Sequence, residues 1–190
     1  DAGKADAFDR LCEQVKEAFH VDTSRDSKTE KALWEYRSFL AQSALSAYFK
    51  GQRDLCYATF MKLEPIWMNT SMGERVAYEA LENGDMEFLR RMEASQSPMM
   101  RAPALETLAV HRIRNGDIDA ARMTAETYDR EFGKNVTSSI YRTITDDRVV
   151  KDPARLLAAT QLALQQVPFD SKDYAAIAVK RAKLLGQTNP

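Results

Sequence analysis

The sequence is short of the residues that cross-link small proteins or interrupt helices. It has two cysteines, Cys12 and Cys56, which are too few for a disulfide scaffold and are expected to be unbridged thiols in separate helices. Seven glycines and six prolines in 190 residues are about half the usual share. Valine and isoleucine together number 15 against 26 alanines, and this mixture favours helix over sheet. The sequence therefore predicts an all-α protein that is long enough to bury its own core.

An excess of charge of one sign and long apolar runs are missing as well. The 27 basic and 28 acidic residues leave a formal net charge of -1, which speaks against a nucleic-acid groove or a binder of acidic membranes. No run of about 18 apolar residues occurs, so no transmembrane segment is expected. We expect a soluble protein, either cytoplasmic or exported. Because the chain opens at Asp1 without a Met, we expect it to start after a cut, and the compartment stays open.

Patterns that carry catalysis or hold cofactors are also absent from the sequence. The two histidines, His20 and His111, have no cysteine or carboxylate at metal-ligand spacing. There is no phosphate-binding glycine loop, no dinucleotide fingerprint and no nucleophile elbow. The prediction is a protein that is not an enzyme, with no catalytic residue, no metal and no cofactor.

Capping residues and glycines divide the chain into about ten predicted helices. Ser27 with Glu30, and Ser71 with Glu74, fit the capping box, in which each side chain accepts from a free N–H group at a helix start. Asp152 followed by Pro153 fits a capped start with proline in the first turn. The predicted helices cover about residues 4–20, 27–50, 52–63, 71–83, 85–97, 103–115, 117–132, 135–144, 152–167 and 170–186.

These start and stop signals recur at a nearly fixed period. Gly84 lies 33 residues after Gly51, and Gly116 lies 32 residues after Gly84. Further caps follow near Asp152 and Gly186 at a similar spacing. A small residue, Ala44, Ala77 or Ala109, stands seven positions before each of the first three glycines, where it would let two antiparallel helices approach closely. The period predicts an array of helical hairpins; the alternative is a helical bundle without repeats.

The segment from Asn115 to Ala121 resembles the turn and second-helix start of the tetratricopeptide repeat family. The resemblance extends over about residues 38–133 and is weaker over 135–186, and the aromatic signature of the family is mostly missing. It implies an α-solenoid of about four to five antiparallel helix hairpins in a right-handed array. The whole chain, 1–190, is then one helical-repeat domain, with a capping helix and loop at 1–26, the clearest repeats at 27–133 and weaker repeats at 134–190.

In such an array the first helices of the hairpins line a concave groove, which is the usual ligand face. By the resemblance, this groove would carry partner-binding side chains, with Tyr78 and Arg114 as the main anchors. The complete set of candidates is Tyr48, Glu74, Tyr78, Glu106, Arg114, Lys180 and Lys183. Tyr48 has a second interpretation as a core residue between hairpins.

The predicted function is a non-enzymatic scaffold or adaptor that binds another protein or a peptide segment in this groove. One alternative is an RNA-binding helical-repeat protein, which the balanced charge disfavours. Another is a helical regulatory or enzymatic domain whose site is assembled from residues that the sequence does not pair. Whether the protein forms an oligomer stays open.

Overall fold

The computed structural model describes residues 9, 10, 13, 14, 27–63, 71–133 and 138–188. Across these residues it contains nine helices and no β-strand, which confirms the all-α class. The predicted helix at 4–20 falls mostly outside the described residues. The helices are α1 (Ser27–Phe49), α2 (Arg53–Leu63), α3 (Ser71–Glu82), α4 (Met86–Glu93), α5 (Pro98–Arg114), α6 (Ile118–Phe132), α7 (Ser138–Ile144), α8 (Pro153–Gln166) and α9 (Lys172–Thr188). No helix in the described ranges combines the length and the apolar character needed to cross a membrane.

Three aspartates begin helices as their positions predict. The side chain of Asp85 accepts from the backbone N–H of Phe88, and Asp117 and Asp152 make the equivalent bond three residues ahead at the starts of α6 and α8. Each bond satisfies one of the N–H groups that a helix start leaves without an intrahelical acceptor. The helices α4, α6 and α8 therefore start where the sequence predicts.

Three glycines end helices in the same conformation. Gly51, Gly84 and Gly116 have φ values of 72°, 69° and 81°, in the left-handed region that side chains other than glycine disfavour. In each turn the glycine N–H donates to the carbonyl three residues earlier, and the next N–H donates to the carbonyl five residues earlier, which is the Schellman motif. The acceptors are Tyr48 and Ala47, Leu81 and Ala80, and Ile113 and Arg112, at 2.7–3.0 Å. The predicted helix ends at these three glycines are confirmed.

The fourth glycine of the predicted period behaves differently. Gly186 lies inside α9, which runs on to Thr188, and its φ is not positive. The prediction that the last helix stops at Gly186 is wrong, because a glycine ends a helix only where the following N–H groups also bond back to its last carbonyls. The start of α9 also differs, since it is Ser171 rather than Asp170 whose side chain accepts from the N–H of Tyr174.

The start of α5 lies earlier than predicted. The helix begins at Pro98, and Pro103 is inside it rather than at its start. Proline has the φ of a first helical residue and no N–H that needs an acceptor, so both prolines fit a start on sequence grounds. In the structure the helix starts at the first of the two prolines, Pro98.

The chain divides into two compact units. Unit 1 comprises Asp1–Val76 and Ser95–Met100, and unit 2 comprises Ala77–Ala94 and Arg101–Pro190. Helices α1 and α2 lie in unit 1, and α6 to α9 lie in unit 2. The single repeat domain at 1–190 and the solenoid arrangement stay predictions.

Unit 1 is built on a hairpin of α1 and α2 around the turn at Gly51. Ala44 of α1 and Cys56 of α2 are both fully buried, as are the larger side chains of Leu40 and Phe60. Small buried side chains let packed helices approach closely, and larger ones fill the space beside them. The burial of Ala44 agrees with the packing role that its spacing predicts.

Unit 2 contains a second hairpin, formed by α5 and α6 around the turn at Gly116. Ala109 and Ala121 are fully buried in it, and the guanidinium of Arg112 donates to the hydroxyl of Thr124 across the pair. The helices α7, α8 and α9 follow, with α9 packed against α8 and α7. The loop between α7 and α8 comprises residues 145–152.

Candidate partner-binding site

Tyr78 and Arg114, the two main anchors predicted from the sequence, lie together in unit 2. The Cζ atom of Arg114 is 6.0 Å from the centre of the Tyr78 ring, which is within cation–π range. The same guanidinium donates through Nη1 to Oε1 of Glu82 at 2.6 Å and through Nε to the carbonyl oxygen of Val149 at 2.9 Å. We call Tyr78, Glu82, Arg114 and Val149 the Arg114 cluster.

The positions of Glu82 and Arg114 relative to two turn glycines explain how the ion pair in this cluster arises. Glu82 stands two residues before Gly84, and Arg114 stands two residues before Gly116. The two residues therefore occupy equivalent positions at the ends of α3 and α5, each just before a glycine turn of the same geometry. Tyr78 lies one helical turn before Glu82 on α3, so its ring reaches the same guanidinium.

Electrostatics within the cluster favour the charged forms. The hydrogen bond from Arg114 is the main cause that lowers the pKa of Glu82 below its ordinary value. For Arg114, burial acts to lower the pKa, but hydrogen bonds with Glu82 and Tyr78 outweigh it and the pKa is raised. The guanidinium therefore stays charged and is fixed by partners from the chain itself.

Much of the cluster is open to solvent. Tyr78 is 40 % exposed, and the side chains of Arg114 and Glu82 are 28 % and 44 % exposed. An exposed tyrosine that is backed by a fixed guanidinium offers a rigid apolar ring with a polar end. Such a residue loses little conformational entropy when a partner covers it, which is the property of an interface anchor.

Lys180, another candidate predicted from the sequence, binds the loop at 145–152, which also contains Val149. Nζ of Lys180, on α9, donates to the carbonyl oxygen of Thr145 at 2.8 Å and lies 3.7 Å from the carboxylate of Asp147. Thus Arg114 binds the main chain near the end of the loop at 145–152, and Lys180 binds it at the start. Within the loop, Arg148 pairs with Asp146 at 2.7 Å, and this pair is the main reason that the pKa of Asp146 falls to about 2.

The remaining candidates are placed in different surroundings. Glu106 is buried, and its Oε1 atom accepts from the hydroxyl of Tyr128 at 2.9 Å. Lys183 is exposed on α9. Tyr48 is 5 % exposed in unit 1, which matches its interpretation as a core residue, and Glu74 is exposed in unit 1. The structure thus brings Tyr78 and Arg114 together, and places Glu106 and Tyr48 where a partner would not reach them without rearrangement.

Sequence reasoning missed two members of the cluster, Glu82 and Val149. The signal for Glu82 was present, since it stands two residues before a turn glycine, as Arg114 does, and carries the opposite charge. No signal pointed to Val149, because its contribution is a backbone carbonyl that the residue type does not determine.

Of the two histidines, His111 lies among the described residues. Burial lowers the pKa of His111, with Arg112 and Arg114 adding to the effect, which favours the neutral imidazole. His20 lies outside the described residues. Within them, no group of three or more histidine, cysteine, aspartate or glutamate side chains is arranged to hold a metal ion.

Comparisons with known proteins found no relative of this chain. No protein-family model, no curated protein and no solved structure matches the chain.

Proposed function

We propose that this chain is a non-enzymatic, protein- or peptide-binding domain of helical-hairpin repeats, similar to tetratricopeptide repeats, and that the Arg114 cluster is a centre of its binding surface. The observation that carries the proposal is the exposed ring of Tyr78, held in place by a guanidinium that other residues of the chain already fix. The regular glycine turns support the repeat interpretation, because three of them share one geometry at spacings of 33 and 32 residues.

The alternative of RNA binding has less support from the charges. The cluster contains one cation and one carboxylate in contact, and the chain as a whole carries a formal net charge of -1. A surface that binds RNA through its phosphates needs several cations that are not neutralised by neighbouring carboxylates. A peptide surface needs no such excess.

The experiment starts from a library of random peptides displayed on phage and selected against the full chain. The affinity of a selected peptide is then measured for the wild type, for Tyr78→Ala and for the matched variant Tyr57→Ala, whose half-buried tyrosine lies on α2 in unit 1. Loss of an anchor residue typically costs about 2 kcal/mol or more, roughly thirtyfold in affinity. We expect this loss for Tyr78→Ala and less than about threefold for Tyr57→Ala.

Circular dichroism spectra and unfolding curves establish first that both variants are folded. Equal affinity of the wild type and Tyr78→Ala for every selected peptide would contradict the proposed site. A selection that yields no specific peptide, together with salt-dependent binding of single-stranded RNA, would favour the RNA alternative.

A further inference from the structure

The last helix of unit 2, α9, carries apolar residues on the side that faces solvent. Val179 is 56 % exposed and Leu185 is 41 % exposed. Ala175 and Ala182 lie within one turn of Val179 on the same side and are exposed as well. The opposite side of α9 faces the rest of unit 2, with Ile177 buried against it. We call Ala175, Val179, Ala182 and Leu185 the outer face of α9.

Two lysines border this outer face along one edge. Lys172 and Lys183 are eleven residues apart, or about three helical turns and roughly 16 Å, so they project in nearly the same direction. Both are exposed, and no carboxylate of the described residues forms an ion pair with either. The one acidic residue of α9, Asp173, lies on the inner side, 3.6 Å from Arg142. The outer face is therefore apolar with a cationic edge that has no counter-charge on its own helix.

We propose that the outer face of α9 is a docking surface for an acidic amphipathic helix of a partner protein. The apolar side of that helix would pack on Val179 and its neighbours, and carboxylates along its edge would meet Lys172 and Lys183. This surface is separate from the Arg114 cluster, and the proposal does not depend on the function assigned to that cluster.

The size of the side chains favours a helix over a lipid surface as the occupant. Alanines on both sides of Val179 leave room for a second helix axis at the short end of the usual separation of 8–10 Å. Helices that bind membrane surfaces instead present tryptophan, phenylalanine and leucine, which bury far more apolar area in the lipid than alanine does.

Charge disfavours a second copy of this chain as the occupant. In an antiparallel two-fold pairing through this face, the lysine edge of one copy meets the lysine edge of the other. In a parallel pairing, the lysine edge of one copy meets the other edge of the second copy's outer face. That other edge carries Arg181 and no carboxylate. Like charges in contact raise the free energy of either dimer. An acidic partner removes this repulsion.

The test uses the full chain and two synthetic 18-residue helical peptides that share one leucine face. One peptide carries glutamate beside the leucines, and the other carries lysine at the same positions. Fluorescence anisotropy gives the affinity of each labelled peptide. We expect the acidic peptide to bind at least about tenfold more tightly than the basic one, because only the first complements Lys172 and Lys183.

Two variants and one control locate the site. Val179→Glu and the double variant Lys172→Glu/Lys183→Glu should each weaken the acidic peptide at least about tenfold, and the double variant should strengthen the basic peptide. Met123→Glu is the matched control, because Met123 is 67 % exposed on α6 and lies outside the outer face. It should change either affinity less than about twofold.

Several results would overturn the proposal. The first is that the acidic peptide does not bind, and the second is that both peptides bind with equal affinity. The third is that Met123→Glu weakens the acidic peptide as much as Val179→Glu does. Binding to anionic vesicles that Val179→Glu abolishes, without peptide binding, would assign the face to lipid. A dimer in sedimentation experiments that Val179→Glu dissociates would assign it to a second copy of the chain.

Discussion

Glu82 and Arg114 each stand two residues before a turn glycine, and their side chains form a 2.6 Å ion pair. The pair connects α3 to α5, and the second bond of Arg114 connects α5 to the loop at 145–152. One guanidinium thus links three segments that are distant in sequence.

Removing this link should destabilise the protein. In Arg114→Ala the Val149 carbonyl and the Glu82 carboxylate both lose a donor, so we expect a loss of about 1–2 kcal/mol in the free energy of unfolding. Urea denaturation at pH 7 measures it. The control is Arg122→Ala, whose pair with Asp119 is exposed on one helix and should contribute less than about 0.5 kcal/mol. Equal losses in the two variants would show that Arg114 has no special role.

The contribution of Glu82 should depend on pH in a defined direction. Its pKa is lowered in the folded protein, so the ion pair stabilises the fold fully above the ordinary carboxyl pKa and loses that effect as the pH falls through the lowered value. The difference in unfolding free energy between the wild type and Glu82→Gln should therefore be constant from pH 6 to 8 and shrink in acid below about pH 4. A difference that grows in acid would contradict the assignment.

Asp146 should titrate far below a normal aspartate. Its pKa of about 2 results mainly from the hydrogen bond with Arg148, with the backbone N–H of the same residue adding a further bond. NMR titration of the carboxyl carbon gives the value directly. In Arg148→Ala it should rise towards the ordinary value near 4, while Arg142→Ala, which removes a neighbouring cation, should leave it nearly unchanged. An unchanged pKa in Arg148→Ala would show that another group sets it.

Two glycine substitutions should have different effects. Gly116 has a φ of 81° and open space where a Cβ would lie, so Gly116→Ala incurs only the left-handed backbone cost of about 1–2 kcal/mol. Gly186 lies in a helix with equally open space, and Gly186→Ala should be neutral or stabilising by up to about 1 kcal/mol. Thermal unfolding of both variants tests this. Equal destabilisation would show that Gly186 also terminates a helix.

The cysteines should remain reduced. Cys56 is fully buried in the α1–α2 hairpin, and Cys12 lies outside the described residues. Intact mass spectrometry of the native protein before and after reduction should show no shift of two hydrogens. A shift would mean that the two residues are bridged.

The sequence predicted helix ends wherever one residue type decides the local geometry. The turns at Gly51, Gly84 and Gly116 and the caps at Asp85, Asp117 and Asp152 fall in this class, because each depends on a few neighbouring backbone bonds. Gly186 was predicted by period alone, and there the backbone bonds do not form.

The candidate site could be predicted only in part. The spacing of Tyr78 and Arg114 from their turn glycines predicted that both lie on one surface, and in the structure their side chains are in contact. The burial of Glu106 depends on the hydroxyl of Tyr128, and the tether at Val149 depends on a loop conformation. Neither is visible in a helical pattern, since both are set by tertiary packing.

The two bonds to the loop at 145–152 also bear on how freely its sequence can vary. Arg114 and Lys180 recognise the carbonyl oxygens of Val149 and Thr145, and every residue type supplies a carbonyl. The exposed side chain of Arg148, which lies between these two carbonyls, can therefore be exchanged without removing either bond. The two cations, both outside the loop, thus hold its path through bonds that do not depend on residue type.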